Sequence, residues 1–341
     1  MKYRHVGLES WGVYLPKERH SSQYISKETG IPEEIIIEKF GLKSKTVPGA
    51  EDHTVQMGAN ASLQALERAK LTPEDIDVII WAGEVHAERL LVVNGIKLQK
   101  LLGNPKKSWA FDVNQRCGTF LVGILMAKCL IQTNPMINRI LVASGYRNSD
   151  LINYKNPRSR FMISLAASGV AAIIRGDYNI NQILGISAIT DGRFVDDVYI
   201  PAGGTIKPMT FEALEKGLNY LDVPDPEGLK ERLDNYSMNS FVKVIDNALE
   251  QSGYTRADID YLALLHMKRS AFEYVAKTIG VDPYIQSTYF EEIGHNGQND
   301  GIISIEYGVK EKKIKNGDVV VIVSAGIGWA WNAGVIKWGE S

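Results

Sequence analysis

Cysteine is scarce in this chain: of 341 residues only Cys117 and Cys129 carry a thiol. Two are too few for a disulfide framework at this length. Both fall in or beside one apolar, helix-forming run, and at 1.5 Å per residue they would stand about 18 Å apart along its axis. They could not pair within it, and a reducing cytoplasm is the simplest setting. Charge of one sign is also missing. With 38 basic and 40 acidic residues the formal net charge is −2, which gives no electrostatic case for nucleic acid or an anionic membrane surface. No run of 18 or more apolar residues occurs, so no transmembrane helix is expected. Residues 1–8 contain no apolar h-region and read as the start of a strand, so no signal peptide is expected. Zinc-ligand spacing, a P-loop and a dinucleotide fingerprint are absent as well. Gly326-Ile-Gly328 is followed by Trp329 and Trp331, which is not a phosphate loop. No metal and no resident cofactor is expected.

What is present is an ordinary globular composition, 45% apolar, at a length suited to one large or two average domains. Its most informative feature is Cys117, in the run Asp112-Val-Asn-Gln-Arg-Cys-Gly-Thr-Phe120. The next residues, Leu121-Val-Gly-Ile-Leu-Met-Ala-Lys-Cys-Leu-Ile131, are apolar on every face of a helix, which predicts burial. A helix N-terminus carries partial positive charge and free N–H groups, which lower a thiol's pKa. That placement suits a nucleophile for covalent acyl transfer. The plainer reading is a small core residue.

The chain also echoes itself. Residues 65–84 align without gaps to residues 248–267, with seven of twenty positions identical, through helix end, turn, Asp-Ile-Asp and an apolar strand. A second echo follows: Arg139-Ile-Leu-Val-Ala-Ser-Gly145 and Asp318-Val-Val-Val-Ile-Val-Ser-Ala-Gly326. The same order of elements suggests two halves of one topology, residues 1–176 with the nucleophile and 177–341 with the histidines. Helical periodicity marks 32–39, 55–69, 93–102, 229–251 and 270–279, and strand-like runs mark 163–175, 182–190 and 334–338. Residues 191–227, rich in Gly, Pro and Asp, read as a long excursion outside the core. Helix and strand alternate, so the class is α/β.

Two αβ halves with a nucleophilic Cys at a helix start resemble the thiolase superfamily, and the motifs resemble its ketoacyl-ACP synthase III group end to end. Gly12-Val-Tyr-Leu-Pro16 resembles the family's Gly-x-Tyr-Leu-Pro, and Lys39-Phe-Gly-Leu-Lys43 its Arg-Thr-Gly-Ile-Arg. Cys117-Gly-Thr-Phe120 resembles Cys-Ala/Ser-Gly-Phe, and Ser168-Gly-Val-Ala-Ala172 resembles Asp-Gly-Ala-Gly-Ala. Gly326-Ile-Gly-Trp-Ala-Trp331 resembles Gly-Gly-Gly-x-x-Trp, and Val335-Ile-Lys-Trp338 the closing strand. The resemblance implies a layered α-β-α-β-α fold and a homodimer.

It also implies a catalytic Cys, His and Asn. The Cys carries over to Cys117. The His carries over to His266, after the strand Tyr261-Leu-Ala-Leu-Leu265, although the family's Pro-His-Gln-Ala-Asn is here Leu265-His-Met-Lys-Arg269. The third position departs: Gly-Asn-x-x-Ala-Ala-Ser is here Gly294-His-Asn-Gly-Gln-Asn-Asp300. Ungapped counting back from Gly326 selects His295, and a short shift would select Asn296 or Gln298. The elongating ketosynthases of the superfamily use Cys-His-His, so His295 is chemically adequate. The loop could also simply cap a helix.

The implied reaction has two stages. Cys117 takes an acyl group from acyl-CoA, with the N–H groups of Cys117 and Gly328 as the oxyanion hole. Malonyl-acyl carrier protein (or malonyl-CoA) then loses CO₂, and N–H donors on His266 and His295 hold the enolate, which attacks the acyl-enzyme to give a 3-oxoacyl thioester. The family's adenine-stacking Trp falls at Ile35, and the Arg on the adenine's other face at Arg160. Lys39, Lys43, Lys45, Lys268 and Arg269 could meet CoA phosphates or an acidic carrier protein, or be solvated surface charge. Arg147, in the segment lining the family's acyl pocket, needs a partner if buried. A primer carboxylate, as in 3-oxopimeloyl thioester synthesis, would serve, and so would Glu84; His86 shares Glu84's pocket-side segment. The alternatives are a non-decarboxylating acyltransferase of secondary metabolism and a non-catalytic acyl-binding relative.

Overall fold

The structure is a computed structural model that describes residues 4–84 and 86–340. The expected strand start at 1–8 is described from residue 4, and residues 1–3 lie outside the described residues. β1 (Val6–Tyr14) and β2 (Arg19–Ser21) lead into α1 (Ser22–Thr29), α2 (Glu33–Glu38) and β3 (Ser44–Thr46). Then come α3 (Thr54–Ala69), β4 (Val78–Ala82), α4 (Asn94–Leu101), β5 (Trp109–Val113) and α5 (Thr119–Thr133). β6 (Arg139–Tyr146), β7 (Ser168–Gly176) and β8 (Ile180–Thr190) complete the first sheet region and cross to the second. α6 (Phe211–Glu215), α7 (Pro226–Ser252), β9 (Tyr261–Leu264), α8 (Arg269–Thr278), α9 (Asp300–Lys310), β10 (Val319–Gly326) and β11 (Ala330–Glu340) follow.

Among the described residues nine strands form one continuous sheet in the order β5-β4-β6-β7-β1-β8-β11-β10-β9, while β2 and β3 pair separately. On the N-terminal side β4 runs parallel to β5 and β6, and β6 pairs antiparallel with β7. On the C-terminal side β9 runs parallel to β10, and β10 pairs antiparallel with β11. Residues 286–287 hydrogen-bond to Leu262 in the place that β5 takes beside β4. Each side therefore carries the same order, and the sides meet where Gly7 of β1 faces Gln182 of β8.

The strands read as unbroken apolar runs because both faces are covered. Side chains alternate between them. In β4, Ile79 and Trp81 join Val55 and Ala59 of α3 in an outer cluster. Val78, Ile80 and Ala82 point the other way, to Phe120 and Ile124 of α5 and Ile302 and Ile305 of α9. Beyond the second sheet region, Val321 and Val323 of β10 meet Val244 and Ala248 of α7. The layers are thus α3 and α4, sheet, α5 and α9, sheet, α7 and α8. The echoed turns match in detail: Thr72 with Asp75 and Thr255 with Asp258 each form a capping box.

Three expectations need correction. The strand expected from residue 163 begins at Ser168. The Lys45 ammonium group binds the carbonyls of Ile163 and Leu165 at 2.8 and 2.7 Å and Ser164 O accepts from His295 N, which pulls this segment out of the sheet. Residues 191–227 are not outside the core, because Phe194, Val198, Leu221 and Val223 are buried against α7. α5 is not buried all round: Met126 is 39% exposed and Cys129 is exposed. By length and composition alone residues 116–133 form one helix able to cross a membrane, but half of that window is buried inside the fold, as expected of a core helix.

Candidate active site

Cys117 stands on a 3₁₀ turn, Arg116–Gly118, that leads directly into α5. Thr119 ties the turn together: its hydroxyl accepts from Gln115 N at 2.7 Å and donates to Arg116 O at 2.5 Å. Arg116 takes φ +53°, a left-handed conformation uncommon for a residue with a Cβ. The turn is clamped from the second sheet region. Asn332 of β11 donates to Gln115 Oε1 at 2.9 Å and Gly118 O at 3.2 Å. A Cβ on Gly326, at the end of β10, would lie 3.0 Å from Cys117 N. Only glycine lets this strand end approach the nucleophile's backbone so closely. Gly328 lies in the following turn with φ +132°.

Cys117 is 4% exposed. Its thiol donates to Glu84 Oε1 at 3.4 Å, and Glu84 Oε2 accepts from Asn148 Nδ2 at 2.8 Å. The Arg116 guanidinium lies 3.9 Å from the same carboxylate. The expectation of a lowered thiol pKa is therefore corrected. Burial pushes the thiol well up, and the neighbouring Glu84 carboxylate adds to the rise.

His266 follows β9 and is buried with its ring against Tyr289 and Phe290 at centroid separations of 5.0 and 6.5 Å. Among the described residues neither ring nitrogen makes a hydrogen bond of good geometry, although the Phe290 backbone carbonyl lies close enough to favour a ring N–H. Burial lowers its pKa to about 4, so the ring is neutral near pH 7.

His295 and His266 share one carboxylate, that of Asp300 at the first turn of α9. Asp300 Oδ2 lies 2.6 Å from His295 Nδ1 and accepts from His266 N at 2.8 Å, while Oδ1 accepts from Asn296 N at 2.8 Å. A carboxylate can only accept, so His295 carries its proton on Nδ1. Its Nε2 then donates only when the ring is doubly protonated, which refines the expectation of a simple N–H donor. Asp300 was not singled out from sequence. An acidic residue in the first turn of a helix ordinarily reads as a dipole partner, and nothing local announces the two histidines converging on it.

Cys117, His266 and His295 line one cavity of about 880 Å³. Its walls include Met162, Leu233, Phe241, Met267 and Trp329. Exposed Arg158, Arg160, Lys230 and Lys268 also line it. Ile327 and Trp329, either side of Gly328, belong to the lining. A second recess of about 400 Å³ between Tyr284, Glu291, Tyr307 and Lys313 contains none of the three.

The two other residues considered for the third position turn elsewhere. Asn296 Nδ2 binds the carbonyls of Ile293 and Gly294, and Gln298 Nε2 binds Ser144 Oγ. Among the acyl-pocket candidates only Glu84 reaches Cys117. Arg147 pairs with Asp150 at 2.6 Å and Asp52 O at 2.8 Å, so it pairs neither with Glu84 nor across the cavity. His86 lies 3.6 Å from the same Asp150. Among the basic residues, Lys39 is exposed outside the lining, and Ile35 packs on a small apolar cluster. Lys43 and Arg269 both pair with Glu291. Lys45 is fully buried under Tyr154, out of reach of any phosphate, and burial brings its pKa down to about 7. Among the described residues no group of three metal-ligating side chains occurs.

Comparison with known proteins places the chain in a family. The family model described as 3-oxoacyl-[acyl-carrier-protein (ACP)] synthase III matches residues 111–192, and its C-terminal companion matches residues 249–338, together just over half of the chain. The β-ketoacyl-[acyl-carrier-protein] synthase III of Clostridioides difficile is 26% identical over 98% of both chains. That of Caldanaerobacter subterraneus is 28% identical, also over 98% of both. The crystal structure of 3-oxoacyl-[acyl-carrier-protein] synthase III from Aquifex aeolicus superposes with a TM-score of 0.84 at 18% identity, covering 98% of this chain and 100% of that one, which shows the fold. The chain belongs to the thiolase superfamily, as a β-ketoacyl-ACP synthase III-like condensing enzyme and hence an acyltransferase.

Proposed function

We propose that the protein makes 3-oxoacyl thioesters by acylating Cys117 from acyl-CoA and condensing that acyl group with malonyl-acyl carrier protein, with loss of CO₂. The observation that carries the reading is the meeting of Cys117, His266 and His295 on one cavity. The Cys117 sulfur attacks the thioester carbonyl as its proton departs, and the backbone N–H groups of Cys117 and Gly328 receive the oxyanion. Malonyl decarboxylation leaves an enolate whose oxygen needs donors. Neutral His266 supplies one N–H, and His295 supplies another when Nε2 is protonated, its charge facing Asp300. The enolate carbon then attacks the acyl-Cys117 carbonyl, the C–S bond breaks, and the released Cys117 thiolate takes up a proton from solvent.

The exposed Arg160 and Lys268 in the lining favour an anionic carrier, the phosphates of CoA or an acidic carrier protein. The bond changes call on no resident cofactor or metal. The mirrored strand order favours treating 1–176 and 177–341 as the two halves. We place the protein in the cytoplasm, where these thioester substrates occur, and read it as a homodimer. β5 lies at the sheet edge with Trp109 49% exposed, and Leu90 and Leu91 stand exposed nearby in sequence. An open apolar edge strand of this kind is normally covered.

The test is intact-protein mass after mixing with acetyl-, octanoyl- and glutaryl-CoA. An adduct lost in Cys117→Ala and discharged by malonyl-acyl carrier protein is the expected result. Absence of any adduct would sink the acyl-enzyme reading.

A further inference from the structure

The geometry points to Glu84 as the proton acceptor of Cys117: it takes the thiol proton as sulfur attacks the acyl thioester, and returns it to the departing thiol. This rests on Cys117 being the acylated nucleophile. Among the described residues Glu84 is the one side chain hydrogen-bonded to the thiol, through Oε1 at 3.4 Å. The histidines do not offer that contact. Among the described residues no nitrogen of His266 hydrogen-bonds the thiol, and Nδ1 of His295 is held by Asp300.

Glu84 is aimed rather than loose. Its side chain is 6% exposed, Oε2 is fixed by Asn148 Nδ2 at 2.8 Å, and the Arg116 guanidinium stands 3.9 Å away. Oε1, facing sulfur, can only accept while the group is a carboxylate. A thiol buried to 4% does not form a free thiolate readily, so attack needs an acceptor already in contact. The groups facing the thiol are Glu84 after β4, Tyr146 of β6, Arg116 beside it and Asp300 of α9. Of these only Glu84 both touches sulfur and can take a proton.

The step balances. The S–H bond breaks and its proton goes to Glu84 Oε1. The sulfur pair forms the new S–C bond at the thioester carbonyl, and the donor's C–S bond breaks. The leaving thiolate takes the proton back from the Glu84 carboxyl, so the products are acyl-Cys117 and free thiol, with Glu84 again a carboxylate.

Two rates measured on the whole protein between pH 6 and 9 test this: acetylation of Cys117 by acetyl-CoA, and its alkylation by iodoacetamide. Alkylation reports thiolate availability, whereas acetylation also needs the acceptor and the returned proton. In Glu84→Gln the negative charge beside sulfur is gone, so alkylation should hold or rise while acetylation falls about 10²-fold. Glu84→Asp, which keeps a carboxylate at shorter reach, should recover part of the loss. Glu84→Gln acetylating as fast as the unaltered protein, or losing both rates in equal measure, would overturn the proposal. An unaltered protein that alkylates at Cys117 but takes no acyl group from acetyl- or octanoyl-CoA would remove the function reading, and this inference with it.

Discussion

The two sides of the sheet build the same device twice and load it differently. On the N-terminal side β4 ends near Glu84, and a 3₁₀ turn carrying Cys117 opens α5. On the C-terminal side β9 ends near His266, and the 3₁₀ turn Gly297–Asn299 opens α9 at Asp300. Strand end and helix start therefore pair a carboxylate with a thiol on one side, and an imidazole with a carboxylate on the other. The backbone supplies two helix N-termini, and the chemistry lies in the side chains each side places beside them, Glu84 and Cys117 on one and His266 and Asp300 on the other. In the proposed reaction the N-terminal side would form and hold the acyl group, and the C-terminal side would handle the malonyl unit.

That division can be broken from either side. Cys117→Ala should lower product formation by roughly 10⁴-fold or more while leaving the fold intact, because the side chain is small and buried. Circular dichroism and a product assay would separate the two effects. Asp300→Asn should spare acylation of Cys117 but slow CO₂ release by about 10²-fold, since His295 loses the acceptor that sets its tautomer. A comparable loss in acylation would place Asp300 in both stages and blur the comparison.

The imidazole side should also show in stability. Folded His266 has a pKa near 4, below its unfolded value, so the unfolded chain binds more protons between pH 4 and about 6.5. Stability should therefore rise through that window, by on the order of 3 kcal/mol. Urea titrations at pH 4.5 and 7 would check it, and His266→Asn should flatten the rise. Lys45 beneath the His295 loop acts in the next window. Its folded pKa of about 7 lies below the unfolded value, so stability should climb by about 1 kcal/mol from pH 7 to 8. Melting curves of Lys45→Met should lack that climb. The smallest effect is expected at Arg147, whose partly exposed pair with Asp150 is worth less than about 1 kcal/mol. Arg147→Ala should leave the acetyl-to-glutaryl preference unchanged in the acylation assay.

Much of this was legible in the sequence. The echo at 65–84 and 248–267 marks equivalent helix–turn–strand units because both faces of each sheet region need the same apolar run and the same capping turn. Cys117 could be singled out from its place at a helix start, and His266 and His295 from the family resemblance, and the structure brings the three to one cavity. Contacts between distant segments were less accessible. Lys45 sits in the run Lys43-Ser-Lys45, which reads as a contact for CoA phosphates or an acidic carrier protein, or as solvated charge, yet it is buried where the 163–165 carbonyls converge. Glu84 was visible as a pocket-side residue, but its contact with sulfur 33 positions away depends on how β4 and α5 pack. The thiol's raised pKa followed the same blind spot: helix position is local and readable, whereas burial and a neighbouring carboxylate are not.

The most direct test of the account is a single-turnover reaction of acetylated protein with malonyl-acyl carrier protein, counting CO₂ and 3-oxoacyl product together. One CO₂ and one 3-oxoacyl thioester per acetyl-Cys117 consumed is the predicted result, and transfer of the acetyl group without CO₂ release would contradict it.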